Sequence, residues 1–218
     1  MKVNSSILLL LIFLMLSGVQ AWSQKMFTEG KITYSVTVYA PDQKSVPQQG
    51  LFTISIKNNR VLQELEVAGG FEQKSITRFK SQKYISLKTV NDIDYAIEMD
   101  LKSIIQENSP YRGAQWVDGR QIRKLRDYTI YAASLEYKNG RKFPFFYIAE
   151  YQLEHPEIFE FMPEIEVLPA IFELPLNQGF KMRFELISVL ELAIENEVFL
   201  VPEGYRIISE QEYRELKH

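Results

Sequence analysis

The sequence contains no cysteine. That excludes disulfides, thiolate metal sites and a cysteine nucleophile, and it excludes lipid attachment through an N-terminal cysteine. Histidine is almost as scarce, with His155 and His218 alone. Two imidazoles without a thiol make a poor metal set, so no metal is expected. His155 precedes Pro156 in an acidic loop and reads as a surface residue, while His218 is the last residue of the chain. A Ser-His-Asp triad would need His155, and no Gly-x-Ser-x-Gly elbow accompanies it. Gly69-Gly70 reads as a hairpin turn rather than a nucleotide cradle, and no other glycine-rich phosphate loop is present. An Asp-x-Asp-x-Asp-Gly calcium loop is missing too. No cofactor is expected.

Excess charge of one sign is also lacking. The net charge is −3, and it becomes −4 if Lys2 is removed with an N-terminal leader. Nucleic-acid binding ordinarily shows as a basic stripe. The tightest basic group is Arg120, Arg123, Lys124 and Arg126, flanked by Asp118 and Asp127, and it reads as a solvated strand face. No nucleic-acid partner is expected.

Long hydrophobic runs are limited to one, Ile7 to Leu16, ten residues. A bilayer-spanning helix needs about 20 apolar residues. With Lys2 before the run and small residues after it, residues 1–21 read as a signal peptide. Cleavage after Ala21 fits best, and cleavage after Ser23 also satisfies the small positions. The expected mature chain, residues 22–218, reads as a single β-rich domain with no membrane span. It is exported, periplasmic or secreted, and long enough to build one core without staples.

What the chain does have is alternation of apolar and polar residues, which on a strand buries one face and wets the other. Ile32, Tyr34, Val36 and Val38 alternate with Lys31, Thr33, Ser35 and Thr37. Phe52, Ile54 and Ile56 repeat the pattern, Asn58-Asn59 turns the chain, and Val61, Leu65 and Val67 return it. Glu72 to Phe79 is more polar and reads as an exposed strand. Lys83 to Thr89 and Ile93 to Met99 pair around Asn91-Asp92. Residues 101–106 read as one or two helical turns, and 115–124 and 128–137 as strands. Asn139-Gly140 is a hairpin signal. It leads into an aromatic strand whose Phe143, Phe145, Tyr147 and Tyr151 share a face, and Pro144 places that strand at an edge or a bulge. Residues 154–175 read as an irregular crossing with a short strand near Ile171. Phe180 to Ile194 is leucine-rich, yet its alternation favours strands over a helix. Val198 to Val201 reads as a strand ended by Pro202. Ser209-Glu210-Gln211-Glu212 is a capping box that opens a short C-terminal helix. Ten or eleven mostly antiparallel strands must close a barrel, stack, or curl around something.

The order of segments resembles a family of secreted bacterial proteins of unknown function, typical of Gram-negative bacteria and related to the GLPGLI family. Glu29-Gly30-Lys31-Ile32-Thr33-Tyr34 is similar to its opening strand. Ser75-Ile76-Thr77 through Tyr84-Ile85-Ser86-Leu87 is similar to its central pair. Leu168-Pro169-Ala170 stands where that family carries Leu-Pro-Gly, and Phe199-Leu200-Val201-Pro202-Glu203-Gly204-Tyr205 is similar to its closing Phe-x-x-Pro-x-x-Tyr stretch. Asp127-Tyr128-Thr129-Ile130 replaces a Gly-Tyr-x-Cys segment, so no cysteine role carries over. The resemblance implies a curled antiparallel sheet, a half-barrel like that of periplasmic lipoprotein carriers, with short helices.

Tyr34, Val36, Phe52, Ile54, Tyr84, Phe143, Phe145 and Tyr147 are the candidate ligand-binding residues. The plainer reading makes them core. If the sheet curls without closing, the same residues line an apolar hollow for a lipid or a lipoprotein's acyl chain. The expected function is therefore non-enzymatic binding of a hydrophobic ligand. A protein–protein interaction module of the cell envelope is the alternative. The acids Glu150, Glu154, Glu157, Glu160, Glu164 and Glu166 leave a third reading, a hydrolase with two facing carboxylates.

Overall fold

The computed structural model describes residues 24–41, 45–107, 113–137, 140–159, 162 and 164–216. The expected signal peptide and both cleavage positions lie outside the described residues, as do Asn139, Glu160 and His218.

Alternation yields strands, as expected. In chain order they are β1 (Lys25–Phe27), β2 (Glu29–Tyr39), β3 (Gln48–Lys57), β4 (Arg60–Val67), β5 (Phe71–Arg78), β6 (Lys83–Val90), β7 (Ile93–Asp100), β8 (Gln115–Leu125), β9 (Tyr128–Glu136), β10 (Lys142–Leu153), β11 (Val167–Pro175), β12 (Lys181–Leu190) and β13 (Arg206–Ser209). Helix α1 (Leu101–Glu107) follows β7, and α2 (Glu210–Glu215) follows β13. All thirteen strands belong to one curled, unclosed sheet, ordered β13-β7-β6-β5-β4-β3-β2-β12-β11-β10-β9-β8, with β1 added beside β10. The fold is mainly β and largely antiparallel.

The turns follow their residues. Asn91 and Asp92 both take positive φ between β6 and β7, the mirror-image turn that matches strand twist. Asn58 does so between β3 and β4, and Gly69 and Gly70 between β4 and β5. Gly140 has φ +79 and donates its N–H to the Tyr137 carbonyl at the β9–β10 hairpin. Gly30 is needed for closeness: a Cβ there would stand 2.2 Å from the Leu190 carbonyl oxygen. In α2 the capping box forms in full, with Ser209 and Glu212 exchanging side-chain and backbone hydrogen bonds.

Strands β1 and β13 are too short to show a period in the sequence, and both pair in parallel, β1 with β10 and β13 with β7. Four expectations need correction. Only the first half of β5 is exposed, because Ser75, Ile76 and Thr77 are buried. The crossing contains a full nine-residue strand, β11. Pro169 is tolerated there because it stands at the register shift between β10 and β11, where the ladder is already broken. Strand β12 stops at Leu190, so Leu192 and Ile194 are not in a strand. Residues 196–199 form a 3-10 turn instead of a strand, with Phe199 anchored against the sheet.

Both faces of the sheet carry apolar clusters. The concave face holds the main core, including Ile32, Tyr34, Val36, Ile54, Phe172 and Leu186. The convex face holds a smaller one, in which Leu62, Ile76, Ile85, Leu87 and Ala96 are covered by Ile194 and Phe199. Those last two belong to a strap that crosses the back of β3–β7 after β12.

Candidate functional site: the concave face and its cavity

All eight candidate residues belong to the concave core or pack against it. They fall into two aromatic groups. In the first, Tyr34 lies 6.0 Å from Phe52 and 5.7 Å from Phe172, and Phe172 stacks on Phe184 at 4.6 Å. Tyr34 is fully buried and donates its hydroxyl to the Pro169 carbonyl at 2.7 Å. Burial without a compensating charge raises its pKa well above the usual tyrosine value, so it stays a neutral donor. In the second group, Phe143, Phe145 and Tyr147 follow one another along β10, and Trp116 of β8 meets Phe145 and Tyr147 edge-on at 5.3 and 5.0 Å. Partial burial, aided by Asp118 and Tyr131, raises the Tyr147 pKa. Val36 and Ile54 are fully buried on β2 and β3, the strands that carry Tyr34 and Phe52.

The hollow is mostly filled by the chain itself. After β10 a short 3-10 turn, Pro156–Ile158, brings Ile158 and Phe159 over the concave face, both nearly inaccessible. Phe159 meets Tyr34 and Phe172 edge-on. The roof is held from below by Gln63, whose side-chain amide donates to the Ile158 carbonyl at 2.9 Å. At its start His155 stacks on Phe79, rings 3.8 Å apart, with Nε2 3.2 Å from Asn59 Oδ1. His155 is therefore a half-buried packing residue, not a plain surface one.

What the roof leaves open is a cavity of about 200 Å³ at the β4–β5 side. One wall comes from β4 and β5: Gln63, Leu65, Gln73 and Ser75. Opposite stand Leu174, Leu176, Met182 and Phe184 of the β11–β12 hairpin, with Phe52 beside them. Ile158 and Phe159 close the top, and Phe71 and Tyr84 complete the lining. No lysine, arginine, aspartate or glutamate lines it. Of the eight candidates, Phe52 and Tyr84 reach this cavity and the other six serve the core around it. The polar lining residues escape sequence reasoning because Gln63, Gln73 and Ser75 break no pattern. Phe159 escapes it because it sits in an irregular segment.

Two larger grooves, each about 610 Å³, open on the outside of the molecule. They are shallow and charged. In the first, Lys83 is neutralised by Glu98 at 2.7 Å, and Asp100 caps the Lys102 amide. In the second, Lys74 pairs with Glu64 at 2.6 Å. Among the described residues no cluster of His, Asp and Glu could hold a metal ion, and no helix is long and apolar enough to cross a membrane. Within the acidic stretch, Glu164 accepts the Gly113 amide and Glu166 accepts from Gln152, while Glu150 and Glu154 point to solvent. The basic residues Arg120, Arg123 and Lys124 stand exposed along β8.

No family model matches this sequence, and no curated protein is recognisably similar to it. Solved structures do match in shape. An uncharacterised conserved protein from Thermus thermophilus superposes with a TM-score of 0.52 at 4% identity, over 84% of this chain and 91% of that one. PNGF-II superposes with a TM-score of 0.45 at 7% identity, over 86% of this chain but 33% of its own. A LolA superfamily protein from Nitrosomonas europaea gives a TM-score of 0.38 at 11% identity, over 80% and 90% of the two chains. Of these three, the Thermus protein is the one similar enough to share the fold, and that likeness speaks for the fold alone.

Proposed function

We propose that this chain is a non-enzymatic exported protein that binds a hydrophobic ligand, a lipid or acyl chain, on the concave face of its sheet. The observation that carries this reading is the cavity of about 200 Å³, lined mostly by apolar side chains with three neutral polar ones and no charged ones. Binding sites for small molecules are concave and mostly apolar, with a few placed polar groups. Drug-sized sites run to about 300–1,000 Å³. A cavity of this size holds part of a chain, with the remainder lying along the exposed Phe71 and Leu176 at its margin. The leader-like residues 1–21 motivate the assignment to the periplasm or the exterior.

Native mass spectrometry on protein purified from its own host tests the proposal. An adduct that is released by organic solvent and resolves as a lipid supports it. Protein that is ligand-free in every preparation overturns it.

A second reading has its own observation. Strand β8 is an open edge of eleven residues, with Val117 and Ile122 exposed at 41% and 65%. Unpaired edges are templates for another chain, although the cations on β8 are the kind of residue that blunts such pairing. In-envelope crosslinking from position 122 separates the two: a specific protein adduct favours an interaction module, and its absence leaves the ligand reading ahead.

A further inference from the structure

Building on the ligand reading above, we infer that the cavity selects an uncharged amphiphile, in which the acyl chain carries an ester, amide or hydroxyl group instead of a free carboxylate or an ammonium. The two walls differ in chemistry. Register pairing places Gln63 opposite Ser75, and Leu65 opposite Gln73, on the same face of β4 and β5. Three polar but uncharged side chains thus form a row from the buried Ser75 out to the exposed Gln73. Facing them, Met182 and Phe184 of β12 are buried and wholly apolar. A ligand filling this space lays hydrocarbon against one wall and can offer hydrogen-bonding groups to the other.

Charge decides the class of head group. A carboxylate brought into the cavity would find amide and hydroxyl partners but no cation, and an ammonium would find no anion. Burying an ion without a counter-charge is costly, whereas burying a hydrogen-bonded neutral group is not. Gln63 donates one amide N–H to the Ile158 carbonyl, which leaves its second N–H as a donor and its oxygen as an acceptor. A neutral donor or acceptor satisfies this row and a charged end does not.

Displacement of a bound N-phenyl-1-naphthylamine probe from the whole protein tests the inference, using monodecanoylglycerol, decanoate and decylamine. At about pH 8 both the acid and the amine are ionised. Monodecanoylglycerol is expected to displace the probe at a concentration at least about tenfold lower than either charged compound. Gln73→Lys, at an exposed position that cannot disturb folding through the core, places one cation in the row. It should improve decanoate about tenfold and shift the preference between decanoate and monodecanoylglycerol toward the acid. If decanoate equals or beats the glyceride on the native protein, or if Gln73→Lys leaves decanoate unchanged, the head-group inference falls while the hydrophobic-ligand reading stands. If neither the probe nor any decanoyl compound binds, both fall together.

Discussion

The two faces of the sheet are covered by different means. The concave face is filled by side chains from most of its strands, roofed by Ile158 and Phe159, and left with one small cavity. The convex cluster is covered by a single strap, which lays Ile194 and Phe199 over five small or branched side chains, with Val201 and Tyr205 packed beside them. On the concave side, many contacts share the task and no one residue is unique. On the convex side, two buried side chains and a few polar anchors from Glu29, Lys57, Arg60 and Arg78 hold a whole segment. The comparison teaches where the molecule should yield first: locally along its back and globally at its hollow.

Four changes break or sharpen this contrast. The largest effect is expected from Phe172→Ala, which removes a ring packed on Phe184, Tyr34 and Phe159. It should cost about 4 kcal/mol in denaturant unfolding with one cooperative transition; a loss under about 1 kcal/mol would contradict a close-packed concave core. Phe199→Ala should cost about 3 kcal/mol. Its effect should be local, because Arg60 lies over that ring at 5.3 Å and Arg78 reaches the Phe199 carbonyl. Amide exchange should rise across residues 193–203 and stay slow in β2 and β3. Uniform acceleration would show that strap and sheet unfold as one unit.

Third comes Tyr34→Phe, which deletes one hydroxyl and leaves the Pro169 carbonyl without that donor. A loss of about 1.5 kcal/mol is expected with unchanged packing, and no change would mean water replaces the hydroxyl. The smallest effect depends on pH. Glu29 accepts the Ile194 amide and pairs with Lys57 at 3.2 Å, and these contacts lower its pKa, the amide first and Lys57 second. A depressed carboxyl pKa adds stability that is complete above the ordinary carboxylate range and is lost as pH falls through the lowered value. Wild type should therefore melt above Glu29→Gln at neutral pH, and the gap should close on acidification. A gap that is constant with pH would remove Glu29 from the strap's anchorage.

The concave face is legible in the sequence because it obeys a period of two. The spacing of Tyr34, Val36, Phe52 and Ile54 puts them on one side, and the strand register keeps them there. The convex cluster is not legible, since these strands keep their polar/apolar alternation while burying both faces, the small polar residues included. In β3, Thr53 to Ile56 are all buried, and in β5 the same holds for Ser75 to Thr77. The strap looks like a strand because Val198 to Val201 is β-prone, yet it lies across a face of the sheet instead of beside an edge. The cavity itself depends on how far Phe159 reaches back over β2 and β4, a distance no local pattern encodes.

The seam between β2 and β12 has a consequence for how the molecule forms. Strands β2 to β7 follow one another as neighbours, so each pairs with chain made just before it. By contrast Ser35 meets Glu185 across 150 residues of sequence. Closing so long a loop is entropically expensive and is rewarded only once the far partner is in place. The early meander is therefore expected to keep the edge of β2 open until β12 pairs with it, and the hollow to acquire its second wall only then.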